Sequence, residues 1–195
     1  MSATENTPVP SPSTRQPSVI VPPAGVYRIA LDTRLPKALS AGRHTVVLDI
    51  GESAAVIGNR DELASAFGNL VSNAVRYTPD GGTITLGWHV DDDGRGAFSV
   101  TDTGIGIAPE YIPRLTERFY RVDRSRSRAT GGTGLGLAIV KHVLLRHQAE
   151  LDVTSEPGLG STFTVVLPAQ RVRRGVASEA AADTAPEPLP TATSS

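Results

Sequence analysis

Hydrophobic and polar residues follow two different periods along the middle of this chain. Alternation with a period of two, or a short β-branched run, predicts a strand. Such strands are expected at His44–Ile50, Ala54–Ile57, Thr83–Val90, Ala97–Asp102, Leu151–Thr154 and Thr162–Leu167. Turn residues at Asp91–Gly96 and Pro157–Gly160 join the last four into two hairpins.

Helical spacing of apolar residues predicts a long helix from about Arg60 to Tyr77. Asn59 can cap its start, with Glu62 three positions on as the second half of a capping box. The turn residues Thr78–Gly82 end it.

A second long helix should begin near Thr133 and continue through Ala138–Arg146, and Pro109 opens a short helix before it. Strands that pair as hairpins with helices between them predict the fold class. It is a two-layer α/β sandwich of a mixed, mostly antiparallel sheet and about three helices.

The two ends of the chain differ from this middle part in composition. Residues 1–25 are rich in proline, and residues 171–195 are mostly alanine, threonine, proline, serine and acidic residues. Such segments bury little apolar surface, so a disordered arm and a disordered tail are expected. The folded domain is expected at residues 26–170, which is long enough to fold alone.

Charge and composition exclude several classes of protein. A net charge of −1 gives no reason to expect nucleic acid as a partner, and the absence of cysteine excludes disulfides and thiolate metal sites. No run of apolar residues is long enough to cross a membrane. We therefore expect a cytoplasmic protein that does not insert into the membrane.

Four polar residues share one face of the long helix: Asn69, Asn73, Arg76 and Tyr77. Two amide oxygens one turn apart can bind Mg²⁺, which prefers oxygen ligands and often shares them with phosphates. The alternative is an ordinary solvated helix face.

An aspartate ends one strand and leads into a glycine-rich turn, in the order Asp102, Thr103, Gly104, Ile105, Gly106. A carboxylate placed above bare backbone can accept a hydrogen bond from the exocyclic amine of adenine. The alternative is a turn aspartate without a ligand.

A glycine run, Gly131–Val140, opens the second long helix and can cradle phosphates, because helix N-termini attract anions. It lacks the Gly-Lys-Ser/Thr of a P-loop, and no strand precedes it as in a dinucleotide site. Arginines crowd the segment before it, at positions 118, 121, 124, 126 and 128. Such a segment is typical of an arginine-bearing lid over a nucleotide. A structural loop and a solvated charged loop are the alternatives.

Taken in order, these segments resemble the N, G1, F and G2 boxes of a known family. The matching residues run Asn69–Pro79, Asp102–Ile107, Glu117–Asp123 and Gly132–Ala138. The chain is similar to the catalytic, ATP-binding domain of bacterial two-component sensor histidine kinases, whose fold gyrase, heat-shock chaperone and MutL-type ATPases share. It looks most like the phosphate-regulon sensor kinase subgroup.

The resemblance implies a role for each matching residue on the helix and the first loop. Asn73 would be the direct Mg²⁺ ligand, and Asn69 would assist the metal, the phosphates and catalysis. Tyr77 would flank the adenine. Arg76, where the family usually has lysine, would reach the phosphates. Asp102 would accept from the adenine amino group above a floor shaped by two glycines, Gly104 and Gly106.

The same resemblance assigns the phosphate end of ATP. Phe119 would anchor the hinge of the lid, and Arg121 would contact the γ-phosphate during transfer. The remaining nucleotide-binding residues would be Gly132, Thr133, Gly134, Leu135 and Gly136. Related ATPases carry a glutamate base where this chain has Asn69, and an amide cannot take a proton. This favours phosphoryl transfer over hydrolysis.

The implied enzyme is therefore a protein histidine kinase that uses ATP and Mg²⁺. Its partners would be a helical dimerisation and phosphoacceptor domain in trans and a downstream response regulator. None of the four histidines (His44, His89, His142 and His147) fits the acceptor motif, so all four are expected to be structural or surface residues. The chain looks like an isolated catalytic domain: a fragment, a truncated product or a stand-alone kinase. Two alternatives stay open: an anti-sigma-factor-type serine kinase and a non-catalytic nucleotide-binding regulatory module.

Overall fold

The computed structural model describes residues 19–21, 44–51, 54–122 and 134–174. The strands are β1 (Val19–Val21), β2 (Thr45–Ile50), β3 (Ala54–Gly58), β4 (Thr83–Val90), β5 (Gly96–Asp102), β6 (Glu150–Glu156), β7 (Gly160–Leu167) and β8 (Val172–Arg174). The helices are α1 (Arg60–Tyr77), α2 (Gly136–Arg146) and two 3₁₀ helices, Pro109–Arg114 and Ala169–Arg171.

Five strands form the main sheet, in the order β2-β4-β5-β7-β6. The β2–β4 pair is parallel and the other three pairs are antiparallel. The predicted sandwich with a mixed, mostly antiparallel sheet is therefore confirmed. Both β6 and β7 extend further toward their shared turn than predicted, because hairpin pairing continues as far as Glu156 opposite Gly160.

A second, three-stranded sheet has the order β1-β3-β8 and was not predicted. Its outer strands lie in the segments expected to be arm and tail. Each pairs antiparallel with β3: Ile20 lies opposite Ile57, and Val172 lies opposite Val56. The pairing partner is distant in sequence, so composition alone does not reveal it. The domain boundaries themselves stay a prediction.

The core lies between the main sheet and the two α-helices. Alternate residues of β4 and β5, among them Trp88 and Phe98, are fully buried. On the facing side, α1 contributes Phe67, whose ring centroid lies 4.4 Å from that of Phe98. This packing leaves the polar face of α1 at the edge of the helical layer.

The cap predicted for α1 is present. The side-chain oxygen of Asn59 accepts hydrogen bonds from the backbone N–H groups of Asp61 and Glu62, each at 3.1 Å. In a capping box, the Glu62 side chain would accept a hydrogen bond from the Asn59 N–H. In this structure the Asn59 N–H donates to His147 Nε2 instead, at 3.0 Å.

His147 connects the two α-helices. It is 3% exposed, and its Nδ1 lies 2.8 Å from the carbonyl oxygen of Val143 on α2. The neutral ring that donates from Nδ1 and accepts at Nε2 satisfies both bonds. His147 is thus structural, as predicted, and joins the end of α2 to the start of α1.

We predict that His147→Ala lowers the free energy of unfolding by about 2–4 kcal/mol, because it removes one buried and one partly buried hydrogen bond and opens a cavity. Urea denaturation followed by circular dichroism measures this loss. The control is His142→Ala on the exposed side of the same helix, which should change stability by less than about 0.5 kcal/mol. Equal losses in both variants would contradict the structural role of His147.

Candidate functional site

The polar face of α1 carries the residues predicted to hold metal and phosphates. Asn69, Asn73 and Arg76 are half-buried, and Tyr77 is exposed at the C-terminal end. Asn69 donates from Nδ2 to the Ser65 carbonyl at 2.8 Å, one turn earlier. That bond fixes the amide plane and leaves Oδ1 as its acceptor atom. Leu70, on the neighbouring face of the helix, is fully buried in the core. This burial fixes the rotation of α1 about its axis and therefore the direction in which its polar face points.

The start of α2 lies directly against Asn69. A Cβ atom added at Gly136 would stand 3.0 Å from Asn69 Oδ1. Glycine therefore permits the close approach of the two helices at this point. The structure thus brings together one of the predicted amides and the helix start expected to cradle phosphates.

Asp102 ends the central strand β5 and points its carboxylate inward. The residue is 6% exposed, and its Oδ1 accepts a hydrogen bond from the Gly104 N–H at 2.8 Å. Burial raises the pKa of Asp102, and hydrogen bonds from the backbone of Gly104 and Ser161 oppose that rise. A buried carboxylate with this little solvent is a strong acceptor for a ligand amine.

The two glycines after Asp102 are required by close contacts. A Cβ at Gly104 would lie 2.5 Å from the Tyr77 carbonyl oxygen, which also accepts from the Ile105 N–H at 3.2 Å. Gly106 has a φ of +66°, and a Cβ there would lie 1.9 Å from the Glu156 carbonyl oxygen. The loop is therefore held between the end of α1 and the β6–β7 hairpin.

Sequence reasoning missed the residues of that hairpin that support the loop. Ser155 Oγ accepts from the Ile107 N–H at 2.8 Å and donates to the Gly160 carbonyl at 2.9 Å. Ser161 lies opposite Asp102 in the β5–β7 register. The signal in the sequence was the Gly160-Ser161 pair after the turn, because a glycine there lets the hairpin approach the Asp102 backbone.

The F-box and G2 segments meet at one backbone hydrogen bond. The Phe119 N–H donates to the Gly134 carbonyl at 3.0 Å, and both residues have positive φ, +62° and +71°. Leu135 and Gly136 then begin α2, three residues later than predicted. Arg121 is half-buried two residues beyond Phe119.

Part of the predicted site lies outside the described residues. Gly132 and Thr133 belong to that part, as do three of the five arginines, Arg124, Arg126 and Arg128. Within the described residues, no group of three histidine, aspartate or glutamate side chains could hold a metal ion.

Comparison with known proteins agrees with this geometry. The family described as "Histidine kinase-, DNA gyrase B-, and HSP90-like ATPase" matches residues 58–171, which include α1, Asp102 and α2. The chain belongs to this family. Its match begins at the last residue of β3 and ends with the second 3₁₀ helix, so it covers the whole main sheet except β2.

Curated relatives are sensor histidine kinases of the phosphate-regulon type and similar proteins. The phosphate regulon sensor protein PhoR of Pseudomonas aeruginosa is 60% identical over 129 residues, which cover 66% of this chain and 29% of that protein. The sensor-like histidine kinase SenX3 of Mycobacterium bovis is 46% identical over 153 residues. The match covers 72% of this chain and 36% of SenX3. The chain therefore spans about a third of the length of these relatives.

Solved structures show the same fold. The mycobacterial sensor histidine kinase MprB superimposes with a TM-score of 0.68 at 29% identity, over 81% of this chain and 99% of that one. Full-length ShkA in complex with AMPPNP gives a TM-score of 0.68 at 27% identity, over 83% and 33%. Among the residues described in this ATPase domain, no helix is both long and apolar enough to span a membrane.

We predict that Gly106→Ala destabilises the domain by at least about 2 kcal/mol more than Gly81→Ala does. Both glycines have positive φ, but a Cβ at Gly81 meets nothing within 4 Å, whereas at Gly106 it meets the Glu156 carbonyl. The control therefore carries the conformational strain alone. Chemical denaturation of the two variants measures the difference. Equal destabilisation would show that the loop does not need this close contact.

Proposed function

We propose that this domain binds ATP·Mg²⁺ and transfers the γ-phosphoryl group to a histidine on a separate helical phosphoacceptor domain. The observation that carries the proposal is the buried, hydrogen-bonded carboxylate of Asp102. It stands beside the end of a helix whose polar face also reaches the glycine start of α2. Membership of the ATPase family and the sensor histidine kinases among the relatives support it.

Asp102 would recognise the adenine ring. Its carboxylate would accept a hydrogen bond from the exocyclic amine of adenine. Guanine has a carbonyl oxygen at the same edge, so it would place a second acceptor against the carboxylate and would bind less well. Gly104 and Gly106 keep the floor of the pocket at backbone level, since any side chain there meets carbonyl oxygens. Tyr77 would flank the ring from the exposed end of α1.

The metal would depend on amide oxygens and phosphates rather than on carboxylates. Asn73 would bind Mg²⁺ directly, and Asn69 would assist with Oδ1, whose amide is oriented by the bond to Ser65. Such a set of neutral oxygens fits Mg²⁺, which usually keeps waters and shares phosphate oxygens with few protein ligands. When bound, the metal would neutralise charge on the transferring group.

The phosphates would lie at the start of α2. Helix N-termini bind anions through their unpaired N–H groups and their dipole. In this chain the approach is lined by Gly134, Leu135 and Gly136, and Gly132 and Thr133 would complete it. Arg121 would contact the γ-phosphate during transfer, and Arg76 in the last turn of α1 would reach the phosphates.

The acceptor is expected to be an imidazole rather than water. An amide at position 69 cannot remove a proton from water, whereas a neutral histidine attacks phosphorus without a base. Catalysis would then rest on positioning and charge neutralisation. Of the histidines in this chain, His44 and His147 are buried, with hydrogen bonds to Thr78 and to Val143 and Asn59. His89 and His142 are exposed, but neither fits the acceptor motif of the family. The proposed acceptor therefore lies on a partner domain, followed by a response regulator, on the cytoplasmic side of the membrane.

We predict that Asp102→Ala abolishes ATP binding, a loss of affinity of at least about 100-fold. Isothermal titration calorimetry with ATP and Mg²⁺ should give micromolar affinity for the unmodified chain and no detectable heat for the variant. Asp102→Asn, which keeps the side-chain shape, should also bind weakly, and thermal denaturation establishes that each variant is folded.

The matched control is Asp152→Ala, because Asp152 is an exposed aspartate on β6. It should bind ATP as the unmodified chain does. Unchanged affinity in folded Asp102→Ala and Asp102→Asn would contradict the assignment of the adenine pocket.

We predict phosphoryl transfer in trans. The chain, γ-labelled ATP, Mg²⁺ and a purified histidine-bearing helical hairpin from a sensor histidine kinase are mixed and probed for phosphohistidine. Acid-labile label should appear on the hairpin and not on this chain, and omission of Mg²⁺ should abolish it.

Label on this chain itself would contradict the trans reaction. Acid-stable phosphoserine on a co-purifying protein would favour a serine kinase instead. Tight ATP binding with no transfer to any hairpin would favour a non-catalytic regulatory module.

A further inference from the structure

Arg114 makes contacts on both sides of the F-box phenylalanine. It is the last residue of the 3₁₀ helix Pro109–Arg114. Its Nε and Nη2 donate to the two carboxylate oxygens of Glu117, at 3.2 and 3.1 Å. The carbon atom of the same guanidinium lies 4.3 Å from the centroid of the Tyr120 ring. One planar group therefore contacts the residues before and after the turn at Phe119.

That turn is an unfavourable backbone conformation. Phe119 has a φ of +62°, a left-handed conformation that a bulky aromatic residue rarely adopts. The residue is 70% exposed, so burial of the ring does not hold it there. Such conformations persist only where the surroundings impose them. The surroundings here include the Phe119–Gly134 backbone bond, a second backbone bond from the Tyr120 N–H to the Glu117 carbonyl at 3.3 Å, and the side-chain contacts of Arg114.

We propose that Arg114 is a positioning residue for phosphoryl transfer. It holds Glu117 and Tyr120 in fixed relation across the turn at Phe119, and so sets the direction in which the chain enters Arg121. This inference rests on the proposed function, in which Arg121 contacts the γ-phosphate.

A purely stabilising role explains the contacts less well. The side chains of Arg114 and Glu117 are 56% and 52% exposed, and exposed ion pairs add little to stability. The bidentate geometry and the stacking both depend on the flat guanidinium. Lysine would keep the charge but lose the fork and the plane. The arrangement therefore specifies geometry more than it stabilises the fold.

The kinetic test uses transfer to the histidine-bearing hairpin. Arg114→Ala should lower kcat about tenfold and leave KM for ATP within about twofold, because Asp102 and the amides are untouched. Arg114→Lys should recover only part of the rate. The control is Arg95→Ala, a surface arginine 54% exposed that pairs with Asp91 at 2.9 Å in the β4–β5 turn. It should leave both constants unchanged.

A double-mutant cycle separates positioning from an independent effect. If Arg114 acts through Arg121, the Arg114→Ala change should add no further loss to the residual rate of Arg121→Ala. Additive losses would overturn the proposal, since they would mean that the two arginines act separately.

Hydrogen exchange provides a readout that does not need transfer. Arg114→Ala should speed exchange of the Phe119 amide, which bonds to Gly134, while the melting temperature stays within about 2 °C. Unchanged exchange would overturn the proposal, as would an Arg114→Ala variant as active as the unmodified chain. An inactive unmodified chain would instead overturn the proposed function, and with it the catalytic part of this inference.

Discussion

The hydrogen-bonded burial of Asp102 is the constraint on which the candidate site depends. The residue ends β5, the middle strand of the main sheet, and its carboxylate accepts from the Gly104 N–H at 2.8 Å. Gly104 in turn lies against the last carbonyl of α1, and Gly160 lies against the backbone of Asp102 itself. The loop at Asp102 therefore contacts the main sheet, the helix that bears the amides and the β6–β7 hairpin. These contacts fix the positions of the three elements relative to one another at the candidate site.

Burial of the Asp102 carboxylate also lowers the stability of the folded domain at neutral pH. Burial raises the pKa of Asp102, so as pH rises past the ordinary aspartate pKa the unfolded chain loses this proton first. Stability therefore falls between the ordinary and the raised pKa, and the ionised carboxylate costs folding energy above that window. Hydrogen bonds from Gly104 and Ser161 offset part of the cost. In the proposed function, a carboxylate that accepts a ligand amine is a reason to retain a charge in this place.

The helices and the main sheet were predictable because their signals are local. The apolar spacing and the Asn59 cap located α1 at Arg60–Tyr77, as the structure has it. The order of the motifs also located the candidate residues, and three of them lie at the terminus of an element: Asp102 on β5, Tyr77 on α1 and Gly136 on α2. The supporting contacts of Ser155 and Ser161 were not predicted, because the local signal, Gly160 before Ser161, does not say which strand lies beside β5.

By itself, the sequence determined the five strands of the main sheet, the two α-helices and their two-layer packing, because periodicity and turn chemistry act over a few neighbours. Only the tertiary structure decided which distant segments meet. It paired β1 and β8 with β3 and gave the Asn59 N–H to His147. These outcomes depend on backbone groups finding partners, and a backbone N–H or C=O is the same in every residue that carries one.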